Sequence, residues 1–136
     1  MAYRINNKFP SDAQGNRRAI GVSLPFNGNA VFNSTYTTKD QIKSNLINYF
    51  LTNKGERVFN PFFGANLRLR LFEQITDSNI NLLKKQIEDD IKKFFPFVKI
   101  QSIDINKETD NNSYNLIINY EIVNHGVNDY ININIQ

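Results

Sequence analysis

From residue 38 onward, apolar side chains recur first at helical spacing and then at every second position, and the switch divides the chain. Ile42, Leu46, Tyr49 and Phe50 follow a capping box of Thr38 and Gln41, which predicts a helix over about 39 to 53. Gly55 lies where that helix terminates, because glycine takes positive φ without a Cβ penalty. Between Ala65 and Phe72, Leu67 and Leu71 continue the spacing set by Phe63 while Arg68 and Arg70 point elsewhere, which predicts a short amphipathic helix. A longer stripe of Ile80, Leu83, Ile87, Ile91 and Phe94 then begins at the cap cluster Thr76, Asp77 and Ser78 and stops at Pro96.

After Phe97 the period becomes two. Val98 and Ile100 alternate with polar residues, as do Ile103 and Ile105, but the phase changes between the pairs, so a strand with a bulge or bend near Gln101 and Ser102 is expected. A polar turn over Asn106 to Asn112 leads to a second strand lined by Tyr114, Leu116, Ile118, Tyr120 and Ile122. The turn Asn124, His125, Gly126 leads to a third, with Ile131, Ile133 and Ile135 on one face. Together these elements predict an α+β fold: two main helices and a short one packed on a three-stranded antiparallel β-meander.

The first part of the chain carries weaker patterns. Residues 1 to 18 lack either period and read as an extended or mobile N-terminal arm, and 19 to 36, broken by Pro25, Gly28 and Asn29, as extended chain with little regular structure. Residues 19 to 136 are expected to form a single domain, since 136 residues suffice for one well-buried core.

Composition narrows the chemistry. The absence of cysteine excludes disulfides and thiolate metal sites, and the single histidine, His125, excludes multi-histidine sites. No cofactor or metal is expected. The net charge of +3 comes from basic residues scattered along the chain, which argues against a nucleic-acid partner. No apolar run suits a membrane span, and the N-terminus lacks the apolar core of a secretory signal, so residence in the cytoplasm and no membrane partner are expected.

The densest chemistry lies between Gly55 and Glu73, GERVFNPFFGANLRLRLFE. Glu56 and Arg57 can form directional charged hydrogen bonds to a partner, or can cap the preceding helix and satisfy loop carbonyls. The short helix cannot hide all its large apolar neighbours. Phe63 and Leu71 are expected in the core, and Phe59 and Phe62 in an exposed patch of the kind interfaces use.

The order of these elements, and the pattern Gly55, Glu56, Arg57, Pro61, Phe63, Gly64, Leu67, Leu71, Phe72, Glu73, supported upstream by Val31 to Tyr36, resembles the gene-product-25-like baseplate wedge family of contractile phage tails, also called sheath initiators. The resemblance runs from about Ala19 to the C-terminus. Gln74 departs from it, standing where the family usually has proline.

The resemblance implies a non-enzymatic structural protein of the virion, assembled in the host cytoplasm. Its implied partners are other baseplate wedge subunits and the tail sheath protein, with tail tube or hub neighbours beyond them. Glu56, Arg57, Phe59, Pro61, Phe62, Arg68 and Glu73 would then dock on wedge subunits. The C-terminal hairpin, through Ile131, Ile133 and Ile135 and its backbone edge, would start the sheath. The family has also carried a lysozyme-like label, and the alternative is a peptidoglycan-cleaving enzyme whose only candidate carboxylate pair is Glu56 and Glu73. Arg57 beside Glu56 favours the ionised carboxylate over the proton-donating acid and weighs against that alternative.

Overall fold

The computed structural model of the chain describes residues 19–24, 33–71, 76–108, 113–123 and 125–135. The expected N-terminal arm lies outside them, as do Phe72, Glu73 and Gln74. The element order is β1 (Gly21–Val22), β2 (Ser34–Thr35), α1 (Thr38–Leu51), α2 (Leu67–Leu71), α3 (Asp77–Phe94), β3 (Val98–Glu108), β4 (Ser113–Ile122) and β5 (Val127–Ile135). This is the expected α+β class with its three-stranded antiparallel meander, in the order β3-β4-β5. The chain forms two compact units, residues 1–48 and 49–136, and the division falls inside α1.

In the first unit β1 and β2 pair antiparallel, extended by bonds from the Ile20 N–H to the Thr35 carbonyl and from the Ser23 N–H to the Asn33 carbonyl. The two short strands are the regular structure described in this extended segment, and their pairing is a feature its sequence did not predict. Two-residue strands carry too few side chains to print a period. The α1 cap also sits one residue earlier than expected. Thr37 Oγ1 accepts from the Asp40 N–H at 3.2 Å, which caps the helix, and its hydroxyl donates to Asp40 Oδ2 at 2.6 Å. Gln41 instead accepts from the Thr35 hydroxyl and donates to Asn45 Oδ1.

In the second unit α3 begins and ends as its sequence predicts. Thr76 takes extended φ/ψ and its side chain accepts from the Asn79 N–H, and Phe95, just before Pro96, is the C-cap. Its apolar stripe buries Leu83, Ile87 and Ile91, and the helix lies against β3. The phase change in β3 is a bulge: Ile100 pairs with Tyr120 and Ser102 with Asn119, leaving Gln101 extra. The extra residue returns Ile103 to the covered face beside Val98. β3 also runs further than expected, pairing Asn106, Lys107 and Glu108 with Asn115, Tyr114 and Ser113, because polar residues extend a strand readily where they face solvent.

β4 is the central strand, and Tyr114, Leu116, Ile118, Tyr120 and Ile122 are all buried. β5 keeps an unbroken register with it, from Ile122 opposite Val127 to Tyr114 opposite Ile135. Ile131, Ile133 and Ile135 lie in the core at 1%, 6% and 6% exposure. Each such burial stabilises the fold by about 1.5–3 kcal/mol.

Candidate functional site

The segment after α1 is built by the helix end it covers. At the end of the helix the Tyr49 carbonyl accepts from the Thr52 N–H at 3.4 Å and from the Ala65 N–H at 3.2 Å, and the Thr52 carbonyl accepts from the Asn66 N–H at 3.5 Å. The approach is so close that a Cβ on Gly64, where φ is +121°, would stand 2.5 Å from the Thr52 carbonyl oxygen. Only glycine fits there.

Between these anchors the chain makes a closed loop. A bond from the Glu56 N–H to the Asn53 carbonyl turns the chain at Gly55, whose φ is +91°. Gly55 thus acts in a turn beyond the helix and not as its immediate C-terminal cap. Its own N–H donates to the Pro61 carbonyl at 2.8 Å and ties the neck of the loop. Pro61 occupies the second position of the Asn60–Phe63 turn, where its fixed φ is pre-set.

Phe63 leaves this loop inward. Its ring meets Tyr49 at 5.4 Å and Phe94 at 5.4 Å, both edge to face, within a cluster that includes Phe50 and Phe95. Tyr49 is the hub of the cluster, with no exposed surface. Its hydroxyl donates to Asp90 Oδ2, which also pairs with Lys54 at 3.2 Å. Burial first, and then the hydrogen bond and charge of Asp90, push the Tyr49 phenol well above its usual range. Asp90 is therefore a half-buried anchor, although it stands among the lysines and acids of α3. Sequence pattern could not pair positions forty-one apart.

The outward side chains are the ones a partner can reach. Val58 is 88% exposed, Phe59 fully exposed and Phe62 71%, and Glu56, Arg57, Pro61 and Arg68 are exposed with them. The two charged residues of the pair are each engaged locally. Glu56 Oε1 accepts from Asn53 Nδ2 at 2.7 Å, and the Arg57 guanidinium lies 3.9 Å from the centre of the Phe63 ring. The cation–π contact on Phe63 is one the sequence reading missed.

A cleft of about 260 Å³ brings several of the expected residues together: Glu56 and Arg68 line it with Phe50, Leu51, Asn53, Leu67, Asn134 and Ile135. Glu73 lies outside the described residues, so the nominated carboxylate pair with Glu56 has no described geometry. Ile131, Ile133 and Ile135 are corrected in one respect. Their side chains fill the protein's own core, so what β5 can offer a partner is its backbone and the exposed Asn128, Tyr130, Asn132 and Asn134.

Among the described residues, no helix is long and apolar enough to cross a membrane, and no three acidic or histidine side chains cluster to hold a metal. His125 lies in the β4–β5 turn, as expected.

The model of the family described as baseplate wedge protein gp25 matches residues 37–126. Baseplate wedge protein gp25 of Enterobacteria phage T4 is 31% identical over 77 residues, which cover 57% of this chain and 57% of that protein. Two solved structures share the fold. A protein described as a putative tail lysozyme from Geobacter sulfurreducens matches 74% of this chain and 92% of its own, at TM-score 0.65 and 18% identity. A chain of the anti-feeding prophage baseplate matches 72% of this chain and 78% of its own, at TM-score 0.58 and 21% identity.

Proposed function

The chain belongs to the baseplate wedge protein gp25 family, a structural and non-catalytic family of tail baseplates, and from that membership we propose that it docks on wedge subunits through the loop after α1 and starts the tail sheath through β5. The partners in this reading are other proteins of the baseplate and the sheath protein. The observation that carries it is the state of the β-meander's two edges. Among the described residues β5 is paired on one side only, and its nine residues run without bulge or proline. The Tyr130 N–H donates to Asp129 Oδ1 at 2.9 Å, and an edge that faces no neighbouring strand among the described residues is a template for one more strand.

The loop supplies the second surface. Val58, Phe59 and Phe62 cost solvation where they stand and are held outward by the turns at Gly55 and Pro61. Aromatic side chains presented on a rigid support are efficient anchors, because little freedom remains to be lost on docking.

Deleting β5 would remove three core isoleucines, so the test keeps the core and blunts the edge. Asn132→Lys with Asn134→Lys places charges on exposed positions of the strand. Tails assembled with this variant should contain baseplates without sheath. Normally sheathed tails would refute the role of β5.

A further inference from the structure

The 260 Å³ cleft is lined by both Asn134 and Ile135. Successive residues of a strand point to opposite faces of the sheet, so a single cleft that both line opens at the strand's edge or end and not on one face. No β4 residue lines it, although β4 pairs with β5 along its whole length. The cleft therefore lies at the C-terminal end of β5, where the edge that no strand pairs among the described residues also ends. A strand added to that edge would finish beside it.

The chemistry of the cleft is uneven. Phe50, Leu67 and Ile135 give it a buried apolar floor. Glu56 already accepts from Asn53, whereas the exposed Arg68 guanidinium has no ion pair or hydrogen bond among the described residues. A guanidinium fork with no partner among the described residues, beside an apolar floor, is matched by a carboxylate, which it can hold through two parallel hydrogen bonds.

The other edge of the sheet is unsuited to the same use. β3 is interrupted by the Gln101 bulge and carries exposed Lys99, Asp104, Lys107 and Glu108, devices that discourage pairing, so the sheet would not extend from β5 of one copy to β3 of another.

We propose that the segment received by β5 is an alternating strand of a partner protein that carries an acidic side chain at the end lying past Ile135, where Arg68 holds its carboxylate. The inference rests on β5 being the receiving edge. The occupied site sets the register of the incoming strand, because backbone pairing alone permits slips by two residues that keep the same faces. Arg68 thus selects the position of the strand, while the backbone supplies most of the affinity.

The test uses the full chain and capped eight-residue peptides of alternating valine and threonine, with aspartate or asparagine at one end or the other. Binding is followed by the amide resonances of β5 in NMR titrations. The peptide with aspartate at the matching end should perturb β5 amides and bind about tenfold tighter than its asparagine counterpart, as a charge-assisted pair would produce. Arg68→Gln should erase that difference. Equal affinity of the aspartate and asparagine peptides, with both perturbing β5, would refute the carboxylate site and leave β5 as the receiving edge. Failure of every peptide to perturb β5 would overturn both.

Discussion

The Tyr49 hydroxyl donates to Asp90 Oδ2 at 2.9 Å, and that oxygen lies 3.2 Å from Lys54 Nζ. One carboxylate so joins the buried centre of the aromatic cluster to the exposed start of the loop after α1. Tyr49→Phe should cost about 1.5–3 kcal/mol at neutral pH, the range for a hydrogen bond to a charged group, measured as a lowered urea midpoint. The pair with Lys54 is half in water and should add less than about 1 kcal/mol.

The same contact predicts an alkaline signature. In the unfolded chain a tyrosine ionises near pH ~10, while Tyr49 in the fold holds its proton to well above that. The stability contributed by the neutral phenol is therefore full below about pH 10 and falls above it, by up to about 1.4 kcal/mol per pH unit. Stability of the natural chain should drop more steeply between about pH 10 and 11 than that of Tyr49→Phe. Equal slopes would show that the phenol is not held neutral.

Gly64 and Gly55 both have positive φ but should respond differently to alanine. At Gly55 an added Cβ has nothing within 4 Å, so Gly55→Ala should cost about 1–2 kcal/mol of backbone strain. At Gly64 the clash with the Thr52 carbonyl adds to that strain, and the loss should be clearly larger. Urea unfolding of the two variants gives the comparison.

Phe59 and Phe62 separate docking from folding. Replacing both with serine removes exposed surface and should change stability by no more than about 0.5 kcal/mol. Incorporation into wedges should nonetheless be lost. Calorimetry and co-purification with wedge subunits read the two effects separately.

The bulge in β3 should prove dispensable for folding. Without Gln101, the Ile100–Tyr120 pair would run straight on to Ser102–Asn119, and all downstream isoleucines would keep their faces. Deleting Gln101 should leave a folded protein with a smoother β3 edge and a greater tendency to self-associate, measured by sedimentation.

The elements with long, regular patterns were legible in the sequence. The α3 stripe with its Thr76 cap and Pro96 stop, the alternation of β4 and β5, and the phase slip at Gln101 all record how side chains meet a core. Phe59 and Phe62 were legible as exposed, and Phe63 as core, because one short helix cannot cover so many large side chains.

What depended on distance along the chain was not. Asp90 looks like a solvated helix acid until Tyr49 and Lys54 are seen beside it, and Arg57 reads as a charge partner until it lies over Phe63. Thr37 and Thr38 are chemically equal as caps, and only the hydrogen bonds to Asp40 decide between them. The isoleucines of β5 show the limit of reading a strand by its pattern. Alternation identifies the covered face correctly, but it does not say that this face is covered by the protein itself.

The most direct test of the account is amide hydrogen exchange of the full chain, free and bound to sheath protein. Half of the β5 amides already bond to β4, and the other half point to the open edge. On sheath binding those outward amides, from Val127 to Ile135, should gain strong protection while β3 amides stay unchanged. Unaltered exchange along β5 in a confirmed complex would contradict the claim that this edge receives the sheath.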